Sequence, residues 1–209
     1  MSAESPAVER VFAGLCHRRL ACCHIYGVNN TTLKRVVSQT ELAQYLVAKL
    51  DAKTTSLART KAYSLNLVIP NVVFVRSDTS AGLVFASLAH HRVSGVAVVS
   101  GNSRLTTQVA ITDFFPASRD CALLDLPIVE YLKRTNQLAE PVTCNANVTV
   151  WELLQLFATH RTHRVFVVSP VTRHLMGICT LSLLLRALSG APLHHVNNGQ
   201  LEAESRLDK

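Results

Sequence analysis

The sequence predicts an α/β (α+β) fold of three tandem units, each running helix, strand, strand, helix. Two observations carry this. HHRVSGVAVV at 90–99 and THRTHRVFVV at 159–168 each place a His-Arg pair two residues ahead of an apolar strand, 69 residues apart. The strand-to-helix junctions RVVSQTELAQYL (35–46), TQVAITDFF (107–115) and GICTLSLLLRAL (177–188) put their anchors Glu41, Asp113 and Leu183 at spacings of 72 and 70.

In the first copy, Ser5 and Pro6 fit a helix cap and first helical residue. Val8, Val11, Phe12 and Leu15 then mark one helical face, and His17-Arg18 precedes the apolar run 22–28. A turn at Asn29-Asn30 leads to the second strand and the helix at Glu41. The second copy adds a leading extended segment, Val73 to Arg76, before the helical face Ala81, Val84, Phe85 and Leu88. Its hairpin turns at Gly101-Asn102, and its second helix starts at Asp113. The third copy leads with Pro141 to Cys144, repeats the helical face at Val150, Leu153, Leu154 and Phe157, and turns at Ser169-Pro170. Between copies two and three, Pro127, Ile128, Val129 and Leu132 predict a helical stretch within the connector.

The resulting organisation is a repeat at 4–50 lacking its leading strand, a repeat at 72–116, a partly helical connector at 117–139, a repeat at 140–189 and a polar C-terminal tail at 190–209. A unit of ~50 residues buries too little surface alone, so units should pair. Repeats two and three form the expected pair. The odd first repeat must cover its own face, by homodimerisation or by another chain.

No apolar stretch approaches the ~18 residues of a membrane-spanning helix, and the N-terminus MSAESPAVER has acids where a secretory signal has bases. The expected location is intracellular, cytoplasmic or nuclear. Six cysteines are too few and too irregular for a disulfide framework and read as reduced thiols. CHRRLACCH at 16–24 gathers thiols and imidazoles, yet no second pair completes a tetrahedral zinc site, so no metal is expected. The net charge of +7 is spread along the chain and aromatics make up 6%, which speaks against nucleic-acid binding. A P-loop, GxSxG or HExxH motif is lacking, and no catalytic residues are assigned.

These repeats resemble cystathionine-β-synthase (CBS) domains, whose tandem pairs form Bateman modules. They are most similar to the gamma regulatory subunit of AMP-activated protein kinase and its plant and protist relatives. HRVSGVAVV resembles that subunit's third repeat, and HRVFVV with GICTLSLLLRAL resembles its fourth. The first copy then looks like its second repeat. The resemblance implies an adenine nucleotide (AMP, ADP or ATP) in a cleft between paired repeats and a partner that is a protein kinase catalytic or scaffold subunit.

The family pattern is Gly, two apolar residues, Ser or Thr, two further residues, then Asp. Ser38 and Glu41 hold the last two positions in copy one, where Arg35 replaces Gly. Copy two keeps Asp113, with Ala110 and Thr107 in place of the hydroxyl residue and Gly. Copy three keeps Gly177, Thr180 and Ser182, but Leu183 replaces the ribose-binding carboxylate. By resemblance, His163 and Arg164 contact phosphate, and Ser77 and Thr79 belong to an entry loop that touches nucleotide. The implied nucleotide site is therefore Ser77, Thr79, Asp113, His163, Arg164, Thr180 and Ser182.

Structural readings stand beside these. Asp113 also fits a helix cap, and Thr180 and Ser182 also fit backbone bonds at a strand end. The His-Arg pairs at 17, 91 and 160 fit helix C-termini, where cations are favoured. Trp151 adjoins an apolar stripe and reads as core. The function expected is non-catalytic nucleotide sensing, with a ligand-free interaction scaffold as the alternative.

Overall fold

The computed structural model describes residues 22–26, 33–49 and 56–190. In the first repeat, β1 (Cys22–Tyr26) and β2 (Leu33–Ser38) form an antiparallel ribbon that pairs Cys22 with Ser38 and Tyr26 with Leu33. The helix α1 (Gln39–Lys49) follows at once, then the short α2 (Ser56–Arg59) and a 3-10 turn at Ala62–Leu65. The expected helix over Val8 to Leu15, its Ser5-Pro6 start, residues 16–21 of the cysteine cluster and the tail from 191 lie outside the described residues.

The second repeat runs β3 (Phe74–Arg76), α3 (Ala81–His90), β4 (Gly95–Val99) and β5 (Leu105–Ala110). β3 pairs in parallel with β4, Phe74 opposite Ala97, and β4 pairs antiparallel with β5, Gly95 opposite Ala110. Central β4 is buried along Val96–Val99, which is why it reads as an unbroken apolar run. Edge strand β5 instead alternates, burying Leu105, Thr107 and Val109. The third repeat has the same order: β6 (Thr143–Cys144), α5 (Val150–His160), β7 (Arg164–Val168), β8 (Leu175–Thr180) and α6 (Leu181–Leu188). Its sheet order is β6-β7-β8, as β3-β4-β5 is in the second.

The repeats differ after β5. The sequence predicts a helix from Asp113, and the chain forms a 3-10 helix over Ile111–Ser118. Pro116 lies inside it, and a proline supplies no N–H and crowds the preceding turn of an α-helix. The connector then carries a second 3-10 turn, Cys121–Asp125, and α4 (Ile128–Arg134), with Pro127 as its cap.

By packing, the chain divides into two compact units. Of the described residues, one unit holds those within 22–68, 144–165 and 178–190, and the other holds 69–143 and 166–177. In the first, α1 lies against α5 and α6, and Gln44 Nε2 donates to the Ala158 carbonyl across 3.3 Å. Leu42, Ala43, Leu153, Leu154, Phe157, Leu181, Leu184 and Leu185 are buried there. Fully burying a Leu or Phe contributes roughly 1.5–3 kcal/mol.

In the second unit the core gathers Val84 and Leu88 of α3, Val96 and Val98 of β4, Val109 of β5, and Ile128, Tyr131 and Leu132 of α4. Two backbone bonds of 2.8 Å, Ala81 N–H to Leu126 and Ile128 N–H to Thr79, seat the connector at the start of α3. The hairpin turns of repeats two and three also meet in this unit. Arg104 bridges His174, and Leu105 N–H donates to the Arg173 carbonyl at 3.2 Å.

The His-Arg pairs at 91 and 160 close α3 and α5, with Arg92 and Arg161 in the left-handed region at φ 50° and 49°. That placement agrees with their reading as helix ends.

Candidate functional site

The start of α6 organises one group of the expected residues. β8 ends in extended backbone at Thr180, whose hydroxyl caps the helix by accepting from Leu183 N–H at 3.4 Å. Leu181 N–H donates to the His163 carbonyl at 3.0 Å, which fastens the segment carrying His163 and Arg164 beside this helix start. Arg164 opens β7 and is half-buried. The His163 imidazole titrates below its ordinary range, first because the folded chain desolvates it and then because the Arg164 charge opposes protonation. Ser182 is half-buried, and its hydroxyl donates to Gln39 Oε1 at 2.9 Å.

Gln39 opens α1, where Ser38 and Glu41 form a reciprocal cap. Glu41 Oε2 accepts from Ser38 N–H at 2.8 Å, and the Ser38 hydroxyl accepts from Glu41 N–H at 3.2 Å. In this unit, then, Thr180, Ser182, His163 and Arg164 of repeat three come together with the helix start of repeat one. Gln39 is the residue that sequence reasoning missed. The available signal is positional: aligned on the three anchors, Gln39 stands where the other copies have Ile111 and Leu181.

Ser77, Thr79 and Asp113 belong to the other unit. Ser77 and Thr79 flank a tight turn after β3, with Ser77 N–H donating to Val99 at 2.9 Å and Thr79 N–H to Arg76 at 3.1 Å. Arg76 pairs with exposed Asp78 at 3.2 Å, and that contact holds the Asp78 carboxyl below its usual range. Asp113 Oδ2 accepts from Ala110 N–H at 2.8 Å, as a cap does. Its carbonyl accepts from the Tyr131 hydroxyl at 2.6 Å. Burial raises the pKa of that hydroxyl, and the Asp113 charge adds to the effect.

Cys121, Cys144 and Cys179 are free thiols. Cys144 and Cys179 share a hydrogen bond that pulls the Cys144 pKa down and pushes Cys179 up. Among the described residues no group of three or more His, Cys, Asp or Glu side chains is placed to hold a metal ion. No described helix is long and apolar enough to cross a membrane. Trp151 is half-buried on α5.

Residues 136–190, which carry β6 to α6, match the family model of the CBS domain. That segment is a CBS domain. The order strand, helix, strand, strand, helical turn over 74–118 extends the same architecture to the second repeat. Among solved structures, this chain is similar to a protein from Methanocaldococcus jannaschii described as a proposed archaeal homolog of g-AMPK. The TM-score is 0.67 at 14% identity, over 87% of this chain and 64% of that one, so this chain spans less than two thirds of that protein's length. It is also similar to an uncharacterized conserved protein from Pyrococcus horikoshii, with a TM-score of 0.64 at 14% identity over 88% of this chain and 76% of that one. Hypoxic Response Protein I, solved with two coordinated zinc ions, matches with a TM-score of 0.50 at 18% identity over 64% of this chain and 100% of that one. At these identities the likeness is one of fold. No curated protein matches this chain at the level of sequence.

Proposed function

We propose that this CBS-domain protein is an intracellular, non-catalytic regulator that binds an adenine nucleotide, AMP, ADP or ATP, between paired repeats and reports its presence to a protein partner. The observation that carries the reading is the grouping of Thr180, Ser182, His163 and Arg164 around one helix start. Hydroxyls there can orient a sugar, while a guanidinium and an imidazole can neutralise phosphate through charge-assisted bonds. Leu183 offers no acceptor for ribose hydroxyls, so ribose contact falls to the carboxylates of the other repeats, each at its own helix start, Asp113 first. Ser77 and Thr79 would form the entry loop of the repeat that carries Asp113. The partner is a protein kinase catalytic or scaffold subunit, an assignment that rests on the resemblance to the kinase gamma subunit. A bound nucleotide alters what the partner reads only by binding one arrangement of the repeats better than another.

Calorimetric titration with AMP, ADP and ATP tests this. At least one nucleotide should release binding heat that Arg164→Ala and Asp113→Ala each weaken about tenfold or more, the effect of losing a charged hydrogen bond. Heats equal to buffer injection for all three nucleotides would sink the proposal.

A ligand-free interaction scaffold is the second reading. It is favoured because the Thr180 and Ser182 hydroxyls and the Asp113 carboxylate already bond to protein groups. Partner capture indifferent to nucleotide, together with an unmoved melting temperature, would select it.

A further inference from the structure

Asp113 sits in a helical turn whose own sequence leaves it a donor short. In a 3-10 helix each carbonyl accepts from the N–H three residues further on. For Asp113 that residue is Pro116, which has no N–H to give. The connector supplies the donor instead: the Tyr131 hydroxyl of α4 donates to the Asp113 carbonyl at 2.6 Å, across 18 positions of chain.

The surroundings of Tyr131 suit it to this bond. Its side chain is fully buried, so its hydroxyl needs a protein partner. Its ring lies edge-on to Phe85 with centroids 5.5 Å apart, and Phe85 lies edge-on to Phe114, the neighbour of Asp113, at 5.1 Å. The backbone of Asp113 is thus held by the connector, while its Oδ2 accepts from Ala110 N–H at the end of β5. The same connector also fixes the entry loop, since Ile128 N–H, three residues before Tyr131, donates to the Thr79 carbonyl at 2.8 Å. One short segment therefore sets both the loop carrying Ser77 and Thr79 and the turn carrying Asp113.

We infer that Tyr131 is a positioning residue for nucleotide binding: by giving the hydrogen bond that Pro116 cannot, its hydroxyl fixes the turn from which the Asp113 carboxylate meets the ribose. This rests on the reading of Asp113 as the ribose acceptor. Tyr131 touches no ligand and acts through Asp113 alone, so its effect is confined to ligands that carry ribose hydroxyls.

Calorimetry on the full 209-residue chain tests the inference, with AMP, ADP and ATP each titrated beside its 2′,3′-dideoxy form. Tyr131→Phe keeps the ring and removes the hydroxyl. It should weaken the ribonucleotide about tenfold, the scale of one lost hydrogen bond at a buried site, and leave the dideoxy form unchanged. Adding Pro116→Ala returns an N–H to position 116 and should recover most of the lost affinity, a rescue that a general loss of packing would not show. Should Tyr131→Phe fail to fold, the double variant decides: it should fold and bind as wild type does, and its failure to do so overturns the inference. Amide exchange gives a ligand-free measure, because the Ala110 N–H bonded to Asp113 should exchange about tenfold faster in Tyr131→Phe while Val96 in β4 keeps its rate. A wild-type chain that gives no heat with any nucleotide overturns the nucleotide reading and this inference together. A wild type that binds, beside a Tyr131→Phe variant that binds equally well or loses ribonucleotide and dideoxy form alike, overturns the inference alone, as does an unchanged Ala110 exchange rate.

Discussion

The Ser182 hydroxyl donates to Gln39 Oε1 across 2.9 Å, joining the helix starts of two repeats 143 positions apart in the chain. Gln39 is buried, so its carbonyl oxygen depends on protein donors. Ser182→Ala should therefore destabilise the protein by about 1–2 kcal/mol, the cost of removing a donor from a buried acceptor. Gln39→Leu in the same background should recover part of that loss, because an apolar residue occupies the equivalent position in the other copies. Urea denaturation of the two single variants and the double variant measures the coupling; strictly additive effects would contradict it.

Arg161 holds φ 49° at the end of α5, a conformation that costs a side chain with a Cβ roughly 1–2 kcal/mol. Arg161→Gly should raise the melting temperature by a few degrees, offset in part by the greater freedom of glycine in the unfolded chain. The converse substitution is Gly190→Ala. Gly190 has φ 69° and open space where a Cβ would stand, so any loss there is conformational rather than steric.

Thr149 and Glu152 cap α5 reciprocally. Glu152 Oε2 accepts from Thr149 N–H at 2.8 Å, and the Thr149 hydroxyl accepts from Glu152 N–H at 3.2 Å. Thr149→Ala should cost about 1 kcal/mol and Thr149→Ser much less. Equal losses in a thermal melt would mean that the methyl, not the hydroxyl, stabilises this helix start.

His163 has a folded pKa below its ordinary 6.5, so between the two values the unfolded chain binds more protons. Its contribution to stability is full above 6.5 and falls as pH drops through that value towards the folded pKa. The ring is exposed enough for the effect to be small. His163→Gln should flatten the slope of melting temperature against pH between about 5 and 8, where histidine titrates. A nucleotide phosphate at this residue would favour the protonated ring, so binding should tighten as pH falls; pH-independent binding heats would detach His163 from the site.

Much of the fold is legible in local patterns. The stripe Val150, Leu153, Leu154, Phe157 is buried on α5 as its spacing requires, and the apolar run in β4 is a central strand. The site is less legible. Asp113, Thr180 and Ser182 occupy nucleotide-type positions in the sequence, and their bonds to Ala110, Leu183 and Gln39 depend on backbone geometry and, for Gln39, on packing between repeats. The 3-10 form of Ile111–Ser118 could have been read from Pro116, although its apolar residues point to a buried helix.

The sequence by itself determined the repeat and the order of elements within it, because hydrophobic periodicity, caps and turns act over a few residues. It also determined which faces are apolar. Only the tertiary structure decided which of those faces are covered, since Leu184 and Phe114 carry the same local signal and differ in whether another helix lies across them. Burial is a property of the partner as well as the residue, and no short-range pattern encodes the partner.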